Sequence, residues 1–267
     1  MKKERADDLL ISQGWADDRE KAKRVIMSGK VYTSREEQIF TSGEKWPENT
    51  LVYVKGAEQI YVSRGGRKLE RALDYFEVDL TDQIVLDIGA STGGFTDVSL
   101  QNGAQLVYAL DVGTNQLAWK LRIDERVIVM EQTNFRTCRP EDFSRGQPTA
   151  ATIDVSFISL QKIFPVLKDI LSEDGTVIAL IKPQFEARKE DVGERGIITD
   201  PKVHKYVIQN IISFLYDLGM TTEGIIPSPI KGGKGNKEYL AYIKNRSAKD
   251  KSLDYWVENL VTDSLFS

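Results

Sequence analysis

Between residues 84 and 244 short apolar runs alternate with longer amphipathic ones, and no other feature of the chain constrains its fold as much. Ile84–Leu86, Leu106–Leu110, Val127–Met130, Ala150–Ile153 and Thr176–Ile181 read as strands. Helices are expected near 95–102, 115–121, 158–171 and 201–219. The last of these carries Val203, Val207, Ile211 and Leu215 at helical spacing, widened by Ile208 and Ile212. Strands alternating with helices imply an α/β fold, a mostly parallel sheet with helices on both faces. Two further strands near 222–227 and 238–244 would place an antiparallel strand at the sheet edge. A final helix near 251–264 mixes Leu253, Trp256, Leu260 and Val261 with acids and reads as packing.

The first 60 residues follow a different rhythm, that of a small α+β unit. Leu9, Leu10, Ile11 and Trp15 give one helix an apolar face. Asp17 or Asp18 caps a second, Arg19–Ser28, which turns Ala22, Val25 and Ile26 inward. Strands are expected at Val31-Tyr32, Ile39-Phe40 and Leu51–Val54, and residues 56–64 read as a connector. The chain therefore divides into a leading domain, 1–60, and a larger one, 61–267.

A formal net charge of -4 over 267 residues speaks against a polyanionic partner, but the charge is uneven. Residues 1–35 hold nine basic side chains, among them Arg5, Arg19, Lys21, Lys23, Arg24 and Lys30, against six acids. Arg64, Arg67, Lys68 and Arg71 form a second cluster, and Lys231, Lys234 and Lys237 sit in a glycine-rich loop. On charge alone these are either solvated faces or polyanion contacts. One cysteine, Cys138, excludes a disulfide framework, and one histidine, His204, argues against a multi-histidine metal site; no metal is expected. No apolar stretch approaches the ~20 residues of a membrane span, and the charged start lacks the apolar core of a secretory signal. A cytoplasmic protein is expected.

After the first strand comes Asp87-Ile88-Gly89-Ala90-Ser91-Thr92-Gly93-Gly94-Phe95-Thr96. A glycine-rich strand-to-helix turn lets backbone approach a ligand. No lysine follows the glycines, so a nucleoside-triphosphate loop is disfavoured. Asp87 ends the strand, where an ammonium would be welcome, and Asp111 ends the next, placed for ribose hydroxyls. This acid, glycine loop and second acid resemble the S-adenosylmethionine site of class I (Rossmann-like) methyltransferases. At the following strand exit, Asn134 is placed to bond an adenine edge, while Phe135 is either an apolar wall or plain core.

For methyl transfer the acceptor must be oriented and deprotonated. The fourth strand exit, Asp154-Val155-Ser156-Phe157-Ile158-Ser159, lacks the prolines of base amino-methylating enzymes. Cys138 lies in a loop off the strand ends, which disfavours carbon methylation through a cysteine nucleophile. Four charged residues remain: Lys68, Asp154, Lys182 and Glu238. Lys182 ends the apolar run Ala179-Leu180-Ile181, a poor place for a merely solvated charge; Lys68 and Glu238 read equally well as surface residues.

The four together resemble the Lys-Asp-Lys-Glu tetrad of FtsJ-like ribose 2′-O-methyltransferases. The runs Tyr61–Gly66, Asp87–Thr96, Gln116–Leu121, Asp154–Leu160, Lys182–Ala187 and Pro227–Gly232 resemble the TlyA (hemolysin-A-like) rRNA methyltransferases over roughly residues 4–244. The leading unit resembles the RNA-binding domain named after ribosomal protein S-four, through Asp18–Arg24 and Ile26–Val31. These resemblances imply S-adenosylmethionine as cofactor, ribosomal RNA or ribosomal subunits as partner with no obligatory protein partner, and a cytidine 2′-hydroxyl as acceptor. They make Asp87, Gly89–Phe95, Asp111, Asn134, Phe135 and Asp154 the cofactor residues, and Lys182 the proton acceptor or alkoxide stabiliser. Departures lie at Arg5-Ala6-Asp7, at Thr33-Ser34-Arg35 in place of Val-Asn-Gly, and at Gly113-Thr114-Asn115 in place of Gly-Tyr-Gly. Two rival readings are a non-catalytic RNA-binding assembly factor and a membrane-active hemolysin.

Overall fold

The computed structural model describes residues 3–16, 18–56, 61–193, 195–232, 235–247, 251–262 and 265–266. Its centre is a seven-stranded sheet built from β5 (Ile84–Ile88), β6 (Leu106–Leu110), β7 (Val127–Met130), β8 (Ala150–Ile153), β9 (Thr176–Ile181), β10 (Thr221–Pro227) and β11 (Tyr239–Lys244), in the order β10-β11-β9-β8-β5-β6-β7. The five strands β5 to β9 run parallel, and β11 runs antiparallel to both of its neighbours. The antiparallel strand is thus internal, not at the edge: β11 inserts between β9 and β10, and β10 takes the edge.

Buried parallel strands need apolar side chains on both faces. Leu86, Ile88, Ala179 and Ile181 face one layer, with α6 (Phe164–Ile170), α8 (Pro201–Asp217) and α9 (Leu253–Leu260). Val85, Ile178 and Leu180 face the other, with α3 (Gly66–Phe76), α4 (Gly94–Gln101) and α5 (Trp119–Arg122). Asp200 caps α8, accepting from the Lys202 amide, with Pro201 in the first turn, and Gly219 follows its end at φ 75°.

Three expected helices are shorter, the last of them, expected near 251–264, being helical over Leu253–Leu260. The 158–171 segment breaks into a 3-10 turn, Leu160–Lys162, and α6, because Pro165 lacks an N–H and fits only in a first helical turn. The 115–121 segment is mostly loop. The Glu131 carboxylate takes the amides of Asn115, Gln116 and Leu117 and holds them in a loop, with Asn115 at φ 54° and Ala118 extended, ahead of the short α5.

The leading residues pack α1 (Ala6–Ser12) and α2 (Arg19–Met27) around Leu9, Leu10, Ala22, Ile26 and Val31, an apolar cluster of their own. Asp18 caps α2; Asp17 lies outside the described residues. β2 (Val31–Thr33) pairs with β4 (Val52–Val54), and β1 (Lys3–Arg5) with β3 (Lys45–Pro47). Ile39-Phe40 is not a strand: Ile39 plugs the cluster while Phe40 points outward.

Candidate active site

The chain leaves β5 toward β6 on one side, while β8 lies on the other. Ligands of open α/β sheets bind at such a reversal, beyond the carboxyl ends of the strands. Here a cavity of about 630 Å³ opens, bordered by Gly89–Thr92 on one side and Lys68, Lys182 and Glu238 on the other. That volume suits a small organic ligand. Gly89 has φ 85°, and a Cβ there would stand 2.7 Å from the Asp154 carbonyl oxygen, so only glycine passes between the two strand ends.

Four ionisable side chains meet at the far wall. Lys182 Nζ lies 2.5 Å from Asp154 Oδ1 and donates to Ser156 Oγ at 3.1 Å. Lys68 Nζ bonds Glu238 Oε2 at 2.8 Å and Asp154 Oδ2 at 3.5 Å. The result is an alternating row, Lys182, Asp154, Lys68, Glu238, in which both lysines and Glu238 are buried. Burial pulls the Lys68 ammonium down, yet Asp154 and Glu238 outweigh it and its pKa is raised. Burial pushes Asp154 up, and the two lysines reverse this, holding it below the usual carboxylate range.

The turn between β5 and α4 accounts for the remaining residues. Ala90, Ser91, Thr92, Gly94 and Phe95 border the cavity, while Gly93, at φ 95°, turns toward Leu117 and Leu121 instead. A Cβ on Gly94 would come within 2.3 Å of Ser63 Oγ, which fixes how closely α4 approaches the segment leading into α3. Asp111 accepts from the Ser91 and Gly113 amides at 2.8 and 2.7 Å, tying the loop to the end of β6.

Three of the expected cofactor residues, Asp87, Phe135 and Asn134, do not border the cavity. The Asp87 carboxylate is sealed beneath the loop, where the hydroxyls of Thr96 (2.6 Å) and Thr152 (2.9 Å) occupy it, so it faces no ligand. Phe135 is a core residue packed beside Tyr108 and Phe143, because its 3-10 turn buries it. Asn134 caps that same turn through Oδ1, accepting from Arg136.

The expected basic contacts divide by their neighbours. Arg5 and Arg19 are tied to Asp7 and Asp8 at 2.6 and 2.9 Å. Lys21, Arg24, Lys30 and Lys55 share one shallow groove floored by Val25 and Val54, whereas Lys23 lies outside it. Arg64 borders the main cavity, and Arg67 lies beside Arg71, Pro229 and Ile230. Lys231 is exposed, and Lys234 lies outside the described residues.

Sequence reasoning missed several participants. Ser156 braces Lys182, and Phe157 stands 91% exposed at the cavity rim with φ 64°. Glu131 anchors the 115–117 loop and pairs with Arg122; partial burial pushes its carboxyl up, but these donors outweigh that and hold it at about 2. An acid closing β7, one residue past the strand, was the only signal for Glu131.

A profile of FtsJ-like methyltransferases matches residues 61–245. The chain belongs to the FtsJ-like methyltransferase family. Within this family it is 36% identical to the 16S/23S rRNA (cytidine-2′-O)-methyltransferase TlyA of Mycobacterium tuberculosis, over 97% of each chain. It is 56% identical to the Bacillus subtilis protein YqxC, described as a candidate rRNA methyltransferase, over 91% of this chain and 86% of that one. A solved structure from Streptococcus thermophilus, described as a candidate hemolysin, superposes with a TM-score of 0.80 at 49% identity, covering 97% and 96% of the two chains. Among the described residues of this FtsJ-like chain, no helix is long and apolar enough to cross a membrane.

Proposed function

We propose that this chain transfers the methyl group of S-adenosylmethionine to a ribose 2′-hydroxyl of ribosomal RNA, that of a cytidine. The alternating row of Lys182, Asp154, Lys68 and Glu238 at the cavity carries the reading. The cavity wall fits the cofactor, because Gly89–Ala90 admits a ligand close to the backbone; Asp111, which sets the loop through the Ser91 amide, ends β6 where ribose hydroxyls are bound in such folds. S-adenosylmethionine, when bound, supplies an electrophilic methyl group on a sulfonium.

The protein's own part is orientation and proton removal. Lys68 is engaged by two carboxylates, so its proton is committed. Lys182 meets one carboxylate, shared with Lys68, and borders the cavity, which makes its Nζ, as the neutral amine left once its own proton has passed to solvent, the site that takes the 2′-hydroxyl proton. Asp154 orients Lys182, Ser156 fixes its tip, and Glu238 holds Lys68 in place. Residues 1–60 serve as the RNA-binding domain, with the Lys21, Arg24, Lys30 and Lys55 groove as its contact, and residues 61–267 form the catalytic domain. Arg64, Arg67 and Lys231 lie on the catalytic part and would meet phosphates flanking the acceptor.

The test is methyl transfer from labelled S-adenosylmethionine to ribosomal subunits, followed by mapping of the modified nucleotide. Lys182→Met should lower transfer by a factor on the order of 100 to 10,000 while cofactor binding persists. Wild-type-like transfer by this variant, or a label found on a base, would refute the assignment.

A further inference from the structure

The loop that follows β8 and the single turn that follows β9 are joined by more than the Asp154–Lys182 pair. α7 (Pro183–Glu186) is one helical turn, so Lys182 and Glu186, four residues apart, project from the same side toward residues 154–160. Lys182 reaches Asp154 and Ser156. Phe185 packs on Phe157 with ring centroids 5.1 Å apart. Glu186 closes the set: its Oε2 accepts from Ser159 Oγ at 2.6 Å and its Oε1 from the Leu160 amide at 2.7 Å.

The loop so held is not a relaxed one. Phe157 has φ 64°, a conformation that costs a bulky side chain of order 1–3 kcal/mol and persists only where the surroundings over-determine it. Its ring is exposed and contributes little burial of its own, so the restraint comes from the flanks. On one side stands the Lys182 contact with Ser156; on the other, Glu186. Glu186 itself does not border the cavity, although Gln184 and Phe185 do. Burial raises its pKa, as expected of a carboxyl held in the protein and not in water.

We propose that Glu186 is a positioning residue for methyl transfer: it clamps the 154–160 loop onto the turn bearing Lys182, fixing Asp154, Ser156 and Phe157 relative to the lysine. The assignment rests on the reading of Lys182 given above. It requires the shape and bonding of the Glu186 side chain, not its charge. A glutamine can accept from the Leu160 amide with its oxygen and donate to Ser159 Oγ with its nitrogen, whereas alanine offers neither bond.

The experiment compares full-length wild type, Glu186→Ala, Glu186→Gln and Ser159→Ala. Amide hydrogen exchange is followed over residues 155–161, together with thermal unfolding, cofactor Kd, and kcat and KM for subunit methylation. In Glu186→Ala, exchange at Leu160 should rise by about 10-fold, equivalent to a net bond of about 1.4 kcal/mol. Its kcat should fall by up to about 100-fold, as for a reacting group displaced by about 1 Å. Cofactor Kd should stay near wild type, and the unfolding temperature should fall by no more than about 4 °C. Glu186→Gln should restore both readouts, and Ser159→Ala should shift both in the same direction by less. Unchanged exchange in Glu186→Ala, an unchanged kcat, or a Glu186→Gln variant as impaired as the alanine would each overturn the proposal. If wild type transfers no methyl group to ribosomal RNA, the functional reading fails, and exchange still decides whether the clamp exists.

Discussion

Asp87→Asn should make this protein more stable at neutral pH, although it removes a carboxylate with two good hydrogen bonds. The side chain is fully buried, and burial pushes its pKa up to about 6, against the pull of the Thr96 and Thr152 hydroxyls. In the unfolded chain an aspartate titrates near 4. Between those values the native state binds the extra proton, so stability falls as pH rises through this window. Below about pH 4 both states are protonated and no penalty exists; above about pH 6 the native state bears the full cost of the buried charge. A gap of about 2 pH units corresponds to about 3 kcal/mol.

Asparagine removes that cost. Its NH2 also carries one more N–H than the protonated carboxyl it mimics, and leaving that N–H without a partner costs about 1 kcal/mol. The net expectation at pH 7.5 is a gain of about 2 kcal/mol, or about 5 °C in Tm for a chain of this size. At pH 4 the gain vanishes and the hydrogen-bond loss remains, so the variant becomes slightly the less stable of the two. Urea unfolding of both proteins at several pH values gives the difference directly, and other titrating groups cancel in it. A variant destabilised by the same amount at pH 4 and pH 7.5 would refute the argument. The same variant should still bind S-adenosylmethionine, since the carboxylate faces Thr96 and Thr152 and not the cavity.

Lys68→Met strands the buried Glu238 carboxylate and should cost about 3–5 kcal/mol, while adding Glu238→Gln should recover part of it. A double-mutant cycle by urea denaturation should give a coupling of about 1–3 kcal/mol, and a coupling near zero would mean that the 2.8 Å pair is energetically idle. Replacing Lys21, Arg24 and Lys30 together by alanine should reduce the slope of log Kd for ribosomal RNA against log salt by about 2–3, from counterions no longer released. An unchanged slope would rule out the groove as an RNA contact.

Much of this was legible in the chain because burial on both sides leaves a plain signature. The five parallel strands read as apolar runs, and the glycine turn follows the first of them. Lys182 stood out because a charge closing such a run needs a partner. Lys68 did not, because its partners Asp154 and Glu238 lie 86 and 170 residues away and on a helix surface it looks like any exposed lysine. Non-local bonding also explains what was misread. The 115–117 amides go to a carboxylate about one strand further along, and no local propensity records that. Asp87 is bonded by two threonines, and in the sequence an acid at a strand end looks the same whether it faces a ligand or two hydroxyls. The positive φ of Phe157 and the reach of Glu186 carry no sequence signal at all.

The position of β11 ties these observations together. Tyr239 pairs with Ile181 in the antiparallel ladder, so one step outward along both strands Glu238 falls across from Lys182. A direct pair between them would leave Lys68 with only the longer contact to Asp154. The row instead alternates, since Lys182 turns to Asp154 on the adjacent strand and frees Glu238 for the lysine arriving from α3. Two lysines and two carboxylates alternate in a line, so the three buried side chains and the partly buried Asp154 each meet a partner of the opposite kind. A one-residue slip of β11 would send Glu238 to the opposite face of the sheet and leave Lys68 without its closest partner. The inserted antiparallel strand, which the sequence pattern alone would set at the edge, is therefore what completes the site.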